Sequence, residues 1–166
     1  IYNGSTNLAD WATVIAVDEH GYVYVAGASY KAPLDSDYLT IKYDPNGTKL
    51  WAAKHVGPVA GINEVLALAI DSYGNTCVTG GISLGGYRAC VTIKYDRNGN
   101  ELWAASYDNG PHTNSYGNAI AVDIQGNVYV AGRSDSGSDP LHDRPEYLTI
   151  KYDPNGNIKW VNRYSS

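Results

Sequence analysis

Apolar and polar residues alternate along the chain with a period of two, which is the pattern of β-strands that bury one face. In the first third of the chain this alternation predicts four strands, A to D: Thr13–Val17, Tyr22–Ala26, Tyr38–Tyr43 and Thr48–Ala53. The segments Asp18–Gly21 and Asp44–Gly47 have the Asp-first, Gly-last composition of type I turns. No segment keeps a helical period. The pattern therefore predicts an A–B hairpin, a C–D hairpin and a longer B–C connection.

The same pattern occurs three times. The sequence Thr-Ile-Lys-Tyr-Asp stands at Thr40–Asp44, Thr92–Asp96 and Thr149–Asp153, and each occurrence is followed by a tryptophan: Trp51, Trp103 and Trp160. A unit of about 55 residues thus repeats over one domain, residues 1–166, with units at approximately 1–54, 55–106 and 107–166. Four antiparallel strands repeated in series form the blade of a β-propeller. The predicted fold is therefore all-β, a propeller-type array of three four-stranded antiparallel blades.

The third unit resembles a known repeat. Residues Ala119–Gly132, Leu148–Gly156 and Trp160 closely resemble the SBBP (seven-bladed β-propeller) repeat, and the likeness recurs in the other two units. The resemblance implies a secreted or cell-surface protein of a bacterium or archaeon with a binding or structural role. It brings no catalytic residues to carry over.

Three blades are too few for a closed ring, because propellers typically use about 4–8. Blade 1 and blade 3 would each keep one apolar face bare, which is a large exposed patch. Since the blades are copies, the two faces should fit each other head to tail, so that copies of the chain form a ring or an open filament. The alternative is that missing repeats of a longer chain cover them. The chain begins at Ile1 and contains no Met, which we interpret as a removed leader or as a piece of something longer.

Charge and hydropathy narrow the range of partners. The chain has 12 Lys+Arg against 17 Asp+Glu, a formal charge of -5, which gives no reason to expect a nucleic-acid partner. No apolar run approaches the roughly 20 residues of a membrane helix, so no membrane insertion is expected.

The two cysteines replace tyrosines. Cys77 stands where the other units have a strand-B Tyr, and Cys90 stands where they have a strand-C Tyr. If the two lie opposite each other in the B–C pair, their Cβ atoms are about 4.5–5.5 Å apart, near the range of a disulfide. The paired replacement predicts a Cys77–Cys90 disulfide and, with it, an oxidising, extracellular location. The alternative is two buried free thiols.

Signals for catalysis are weak. The four His residues fall at unrelated points of the repeat, and none has metal-ligand spacing. Recurrence at all three turns indicates a structural role for the turn aspartates Asp18, Asp71 and Asp123. The strand-C lysines, Lys42, Lys94 and Lys151, are expected to lie along the blade and pair with a nearby carboxylate. We expect no catalytic residue, no metal site and no cofactor, and rank a quinone- or metal-dependent enzyme last.

The B–C and D–A connections vary between units and share one end of the array, where recognition residues are commonly placed. The candidates are Tyr30, Tyr87, Arg88, His112, His142 and Arg144. Aromatic and charged groups suit a glycan or a surface protein as the ligand. The alternative is that these segments are solvated loops without a ligand, which would have the same composition. The first functional hypothesis is a non-enzymatic, extracellular, self-associating structural protein. The alternative is a carbohydrate- or protein-binding module that uses this loop end.

Overall fold

The structure, a computed structural model, describes residues 8–110, 113–135 and 145–165. Its strands are β1 Asp10–Val17, β2 Val23–Ala32, β3 Asp35–Tyr43, β4 Lys49–His55, β5 Glu64–Ile70, β6 Thr76–Ser83, β7 Arg88–Tyr95, β8 Glu101–Tyr107, β9 Ser115–Val122, β10 Val128–Asp135, β11 Pro145–Tyr152 and β12 Ile158–Tyr164. Nowhere in these ranges is there a helix long and apolar enough to cross a membrane.

Each run of four consecutive strands forms one antiparallel sheet whose spatial order follows the chain. Blade 1 is β1–β4, blade 2 is β5–β8 and blade 3 is β9–β12. The predicted all-β fold of three four-stranded antiparallel blades is confirmed.

The turns explain why the hairpins recur. In all six A–B and C–D turns, the final Gly has a φ between 77° and 87° and donates its N–H to the carbonyl of the opening Asp. The Asp side chain accepts backbone N–H groups from the same turn, as at Asp18 and Asp123. The structural role predicted for the recurring aspartates is confirmed.

The long B–C connection predicted for blade 1 is wrong. β2 and β3 continue pairing almost to their junction, through the pairs Ser29–Asp37 and Tyr30–Ser36. The chain reverses at Leu34, a non-glycine residue with a φ of 61°. Because no Gly marks this reversal, the sequence pattern did not show it.

Strand register sorts each blade into two faces, because residues directly opposite in an antiparallel pair point to the same side. The lysine face carries the strand-C lysine: Lys42, Lys94 or Lys151. The isoleucine face carries the strand-C isoleucine: Ile41, Ile93 or Ile150.

Two cores lie between the blades. The first joins the lysine face of blade 1 to the isoleucine face of blade 2, with Tyr38 and Ile93 among its buried residues. The second joins the lysine face of blade 2 to the isoleucine face of blade 3, with Cys90 and Ile150 among its members. The isoleucine face of blade 1 and the lysine face of blade 3 are therefore left without a neighbouring blade.

Candidate functional site

A tryptophan on the last strand of one blade contacts the C–D turn of the next blade. The Trp51 indole Nε1–H donates to the backbone oxygen of Arg97 at 3.0 Å. Its ring covers Gly99, where a Cβ atom would lie 2.8 Å from the indole. The turn position is therefore restricted to Gly by its positive φ and also by the ring above it.

The second junction repeats this tryptophan–turn contact. Trp103 donates to the backbone oxygen of Pro154 at 3.0 Å, and a Cβ atom on Gly156 would lie 2.6 Å from its ring. Each tryptophan also lies beside a buried tyrosine of the next blade, Tyr95 or Tyr152, at ring-centroid distances of 6.3 and 5.7 Å. Both junctions therefore use one set of contacts.

Polar contacts fix the loop end of the junctions. Between blades 1 and 2, Asn63 Nδ2 donates to the backbone oxygen of Ser36 at 2.7 Å, and the Ser36 hydroxyl donates to the backbone oxygen of Asn63 at 2.8 Å. Between blades 2 and 3, the Arg88 N–H donates to Asn114 Oδ1 at 3.0 Å. An asparagine from the D–A segment thus ties each following blade to the one before it.

The lysine face of blade 3 presents equivalent side chains, and no other blade among the described residues covers them. Tyr147 is 75% exposed, whereas the equivalent Tyr38 in blade 1 is 0% exposed beneath blade 2. Tyr164 is also exposed, and Trp160 is 39% exposed. Among the described residues, the Trp160 indole N–H has no hydrogen-bond acceptor. Trp160 is the first half of a tryptophan–turn contact.

The isoleucine face of blade 1 holds the other half. Nothing lies within 4 Å of a Cβ atom placed on Gly47, although the equivalent glycines in blades 2 and 3 are covered by an indole ring. A cavity of about 170 Å³ opens on the same face, with Val25, Ile41 and Tyr43 in its lining. This outer surface of blade 1 has an apolar cavity, although Leu39 and Ile41 on the same face are each only 6% exposed.

The predicted Cys77–Cys90 disulfide is wrong. Cys77 lies opposite Lys94, and Cys90 lies opposite Gly81, so the two are four residue pairs apart along the sheet. Four residues of strand span about 13 Å, far beyond the reach of a disulfide. Both cysteines are free and fully buried, and burial raises the pKa of Cys77 to about 12 and that of Cys90 to about 11. They act as small core side chains.

Cys77 changes the contacts of the neighbouring lysine. In blades 1 and 3 a tyrosine stands here: its hydroxyl donates to the turn aspartate, and the lysine ammonium lies over its ring, as with Tyr129, Asp123 and Lys151. In blade 2 the smaller Cys leaves room for Lys94 to reach Asp71 directly, at 3.0 Å and almost fully buried. The predicted carboxylate pairing is confirmed for Lys94, whereas Lys42 and Lys151 lie on tyrosine rings instead.

The electrostatics of Asp71 follow from this pair. Burial by itself raises the pKa of the carboxyl, but hydrogen bonds from Asn75 and Lys94 outweigh burial and leave the pKa below its ordinary value. Asp71 is therefore a charged partner of Lys94 at neutral pH.

The three predicted loop-end residues that lie in the described ranges occur in different surroundings. Tyr30 lies in β2 of blade 1, rather than in a loop, and packs on Trp11. Arg88 lies in blade 2, where its guanidinium forms an ion pair with Glu64 of the same blade at 2.9 Å. Tyr87 is half-buried beside the turn before β7. His112, His142 and Arg144 lie outside the described residues. A ligand for this end stays a prediction.

No group of three His, Cys, Asp or Glu residues in the described ranges is arranged to hold a metal ion. The tryptophan–turn contacts are the feature of the blade junctions that sequence reasoning missed. The signal was present as a Trp and a turn Gly at constant positions in every unit, but nothing in one unit shows that its Trp belongs to the next unit's turn.

Comparison with known proteins supports the repeat. Residues 107–138 match the model of the SBBP family, a β-propeller repeat. The SBBP resemblance found in the sequence is confirmed.

Matches to whole proteins are partial. An uncharacterised WD repeat-containing protein of Acanthamoeba polyphaga mimivirus is 31% identical over 113 residues, which covers 58% of this chain and 8% of that protein. An α-L-arabinofuranosidase from Clostridium thermocellum has 18% identity and a TM-score of 0.49, over 90% of this chain and 52% of that chain. A fucose lectin from Kordia zhangzhouensis has 12% identity and a TM-score of 0.49, over 92% of this chain and 98% of that chain. The chain thus spans less than a tenth of the viral protein and about half of the arabinofuranosidase.

Proposed function

We propose that this array of SBBP-type β-propeller repeats is a non-enzymatic assembly module whose copies join head to tail into a ring or a filament. The lysine face of blade 3 in one copy packs on the isoleucine face of blade 1 in the next. One observation carries the proposal: the chain makes the tryptophan–turn contact twice and keeps one unused half on each outer blade.

The contacts of the proposed interface follow from the internal junctions. The Trp160 indole N–H donates to the backbone oxygen of Pro45, and its ring covers Gly47. Tyr147 packs on Gly27, as Tyr38 packs on the equivalent Gly80, where a Cβ atom would lie 2.8 Å from the Tyr38 hydroxyl. The residue types of the tryptophan–turn contact and of the tyrosine–glycine contact are in place on the two outer faces.

The geometry of such an interface permits two assemblies. A head-to-tail contact is heterologous, so it closes into a ring if its rotation returns to the start and otherwise extends as a helix. Two copies would give six blades, which lies within the usual range of about 4–8 for closed propellers.

Secretion stays a prediction that rests on the SBBP resemblance. The free thiols Cys77 and Cys90 remove the disulfide argument for an oxidising compartment.

A carbohydrate ligand at the loop end is the second candidate function. The rings of Trp11 and Tyr30 lie 5.9 Å apart, and Trp11 is largely exposed, which gives an aromatic surface suited to the apolar face of a sugar. A change in Trp fluorescence on titration with neutral sugars, lost in Trp11→Phe, would support it. The absence of any response would count against it.

The assembly proposal is tested by measuring particle mass over a range of protein concentrations with light scattering and sedimentation. We expect particles of two or more chains for the unaltered protein. Trp160→Ala should weaken association by about 30-fold, the loss typical of a central aromatic contact worth about 2 kcal/mol. Ile124→Ala removes an exposed apolar side chain that lies on a turn, outside both outer faces, and should leave association unchanged.

Mixing two blocked variants tests the head-to-tail direction. Val25→Arg places a charge on the isoleucine face of blade 1, so this variant retains only a functional blade 3 face, whereas Trp160→Ala retains only a functional blade 1 face. At concentrations where each variant alone is monomeric, their mixture should stop at a dimer. A protein that stays monomeric at all concentrations would refute the assembly proposal.

A further inference from the structure

A cleft of about 590 Å³ lies between blades 1 and 2 at the end of the array opposite the variable loops. Its walls are the two A–B turns, Asp18–Gly21 and Asp71–Gly74, and its lining includes Lys42 and Arg97. The volume lies in the range of roughly 300–1,000 Å³ that is common for small-molecule sites. The cleft belongs to a single chain, so it does not depend on the proposed assembly.

Lys42 is a buried cation that lacks an ionic partner. The residue is only 7% exposed, and its ammonium lies over the rings of Tyr22 and Tyr24 at 4.5 and 4.8 Å. Within the described part of the chain, no carboxylate or hydrogen-bond acceptor contacts the ammonium. The equivalent Lys94 has its carboxylate at 3.0 Å. The Lys42 side chain is therefore mostly buried, and its ammonium opens onto the cleft with no acceptor among the described residues.

The carboxylates of the cleft are already engaged. Asp18 accepts two backbone N–H groups with Oδ1 and the Tyr24 hydroxyl with Oδ2. Asp71 is paired with Lys94 and with Asn75. Glu19 is 86% exposed beside His20. None of these groups neutralises Lys42 by direct contact.

Arg97 adds a second positive charge on the rim. It is exposed, and the described residues include no acceptor for its guanidinium. Burial lowers the pKa of Lys42, the charge of Asp18 partly opposes this, and the charge of Arg97 lowers the pKa further. Two like charges close enough to affect each other would both be stabilised by an anion between them.

An aromatic ring is exposed beside these cations. Tyr73, in the A–B turn of blade 2, lines the cleft and is 72% exposed. An exposed tyrosine ring offers a flat apolar surface with a hydroxyl at its edge, which suits the face of a pyranose. We propose that the cleft binds a carboxylate-bearing sugar of the uronate type, with the carboxylate between Lys42 and Arg97 and the sugar ring against Tyr73.

The test is calorimetric titration of the Trp160→Ala chain with glucuronate, with glucose and acetate as separate ligands. Glucuronate should bind with at least tenfold higher affinity than either of the other two, since it alone satisfies both the cations and the ring. Equal binding of glucose would refute the role of the cations. If acetate binds as tightly as glucuronate, the cleft is a simple anion site and the proposed sugar specificity is refuted.

Variants locate the binding site. Arg97→Gln alters an exposed side chain and should weaken glucuronate binding by about tenfold. Lys159→Gln makes the same charge change on an exposed residue of blade 3 and should have no effect. Equal losses in the two variants would show a general charge effect and overturn the site.

A second readout follows Lys42 itself. Its ammonium titration, followed by NMR of the side-chain nitrogen, should shift to higher pH when glucuronate is added. An unchanged titration of Lys42 at saturating glucuronate would overturn the proposal, even if the sugar binds elsewhere.

Discussion

At the scale of single residues, the middle blade shows how one substitution reorganises a polar contact. A tyrosine between turn aspartate and strand lysine, as in blades 1 and 3, keeps the two charges apart. Cys77 in blade 2 is too small to do so, and Lys94 and Asp71 form a direct buried pair. In the sequence Cys77 indicated a disulfide, whereas in the structure its small size allows the Lys94–Asp71 ion pair.

Both thiols should be present but protected. Denatured protein without reductant should gain two alkyl groups from iodoacetamide, because Cys77 and Cys90 are free. Folded protein at pH 8 should gain none within the same time, since burial keeps both thiols protonated and inaccessible. The measurement is intact mass. A denatured chain that gains alkyl groups only after reduction would show that a disulfide exists.

Removing the charge of Asp71 should strongly destabilise the fold. Asp71→Asn keeps a side-chain oxygen for the turn but leaves Lys94 charged and buried without a partner, which costs about 3–5 kcal/mol of unfolding free energy. Asp123→Asn, which affects no buried ion pair, should cost less.

Urea denaturation of both variants measures the difference. Adding Lys94→Met to Asp71→Asn should recover most of the loss, because the unpaired charge is removed. Equal costs for Asp71→Asn and Asp123→Asn would contradict the role of the pair.

At the scale of elements, the tryptophan–turn contact joins the C–D hairpins of blades 2 and 3 to the previous blade. Its donor lies on the last strand of one blade and its acceptor in a turn of the next. The turn glycines therefore meet two demands inside the array, a positive φ and an overlying ring, but Gly47 meets only the first.

Two glycine variants separate these demands. Gly99→Ala places a methyl group against the Trp51 ring in a backbone conformation unfavourable to Ala, whereas Gly47→Ala adds the same methyl group in open space. We expect Gly47→Ala to cost about 1 kcal/mol and Gly99→Ala to cost about 1–3 kcal/mol more. Thermal unfolding in the Trp160→Ala background, at concentrations where the weakened association leaves the chain monomeric, provides the comparison. Equal losses would show that the ring does not restrict the turn.

The sequence predicted those elements that depend on local chemistry. Alternation and the Asp-first, Gly-last turns were sufficient for the strands and for both hairpins of each blade. Register was not accessible, because a period of two shows which face Cys77 and Cys90 share but not where they lie along it. The reversal at Leu34 was missed because, although Pro33 suits the first central position of a turn, the second takes a positive φ without the usual Gly or Asn.

At the scale of the whole molecule, three blades give two buried junctions and two outer faces of matching design. One outer face carries the exposed aromatic residues of blade 3, and the other carries the apolar cavity of blade 1. Stability and association should therefore depend on the same contacts.

The melting temperature should rise with protein concentration, because association selectively stabilises the folded chain. Trp160→Ala should shift this rise to about 30-fold higher protein concentration and retain the melting temperature of the dilute parent protein below it. Calorimetry over a hundredfold range of concentration tests it. A concentration-independent melting temperature for the parent would contradict it.

The shared design of the junctions has a consequence for how such a chain changes length. A tandem duplication of one unit would carry its own indole and its own glycine-terminated turn. The added unit would therefore pack against its neighbours without any compensating mutation. Deletion of a unit would be equally well accommodated. The number of repeats can then change without loss of the individual blade junctions, and selection acts on the curvature and closure of the whole array.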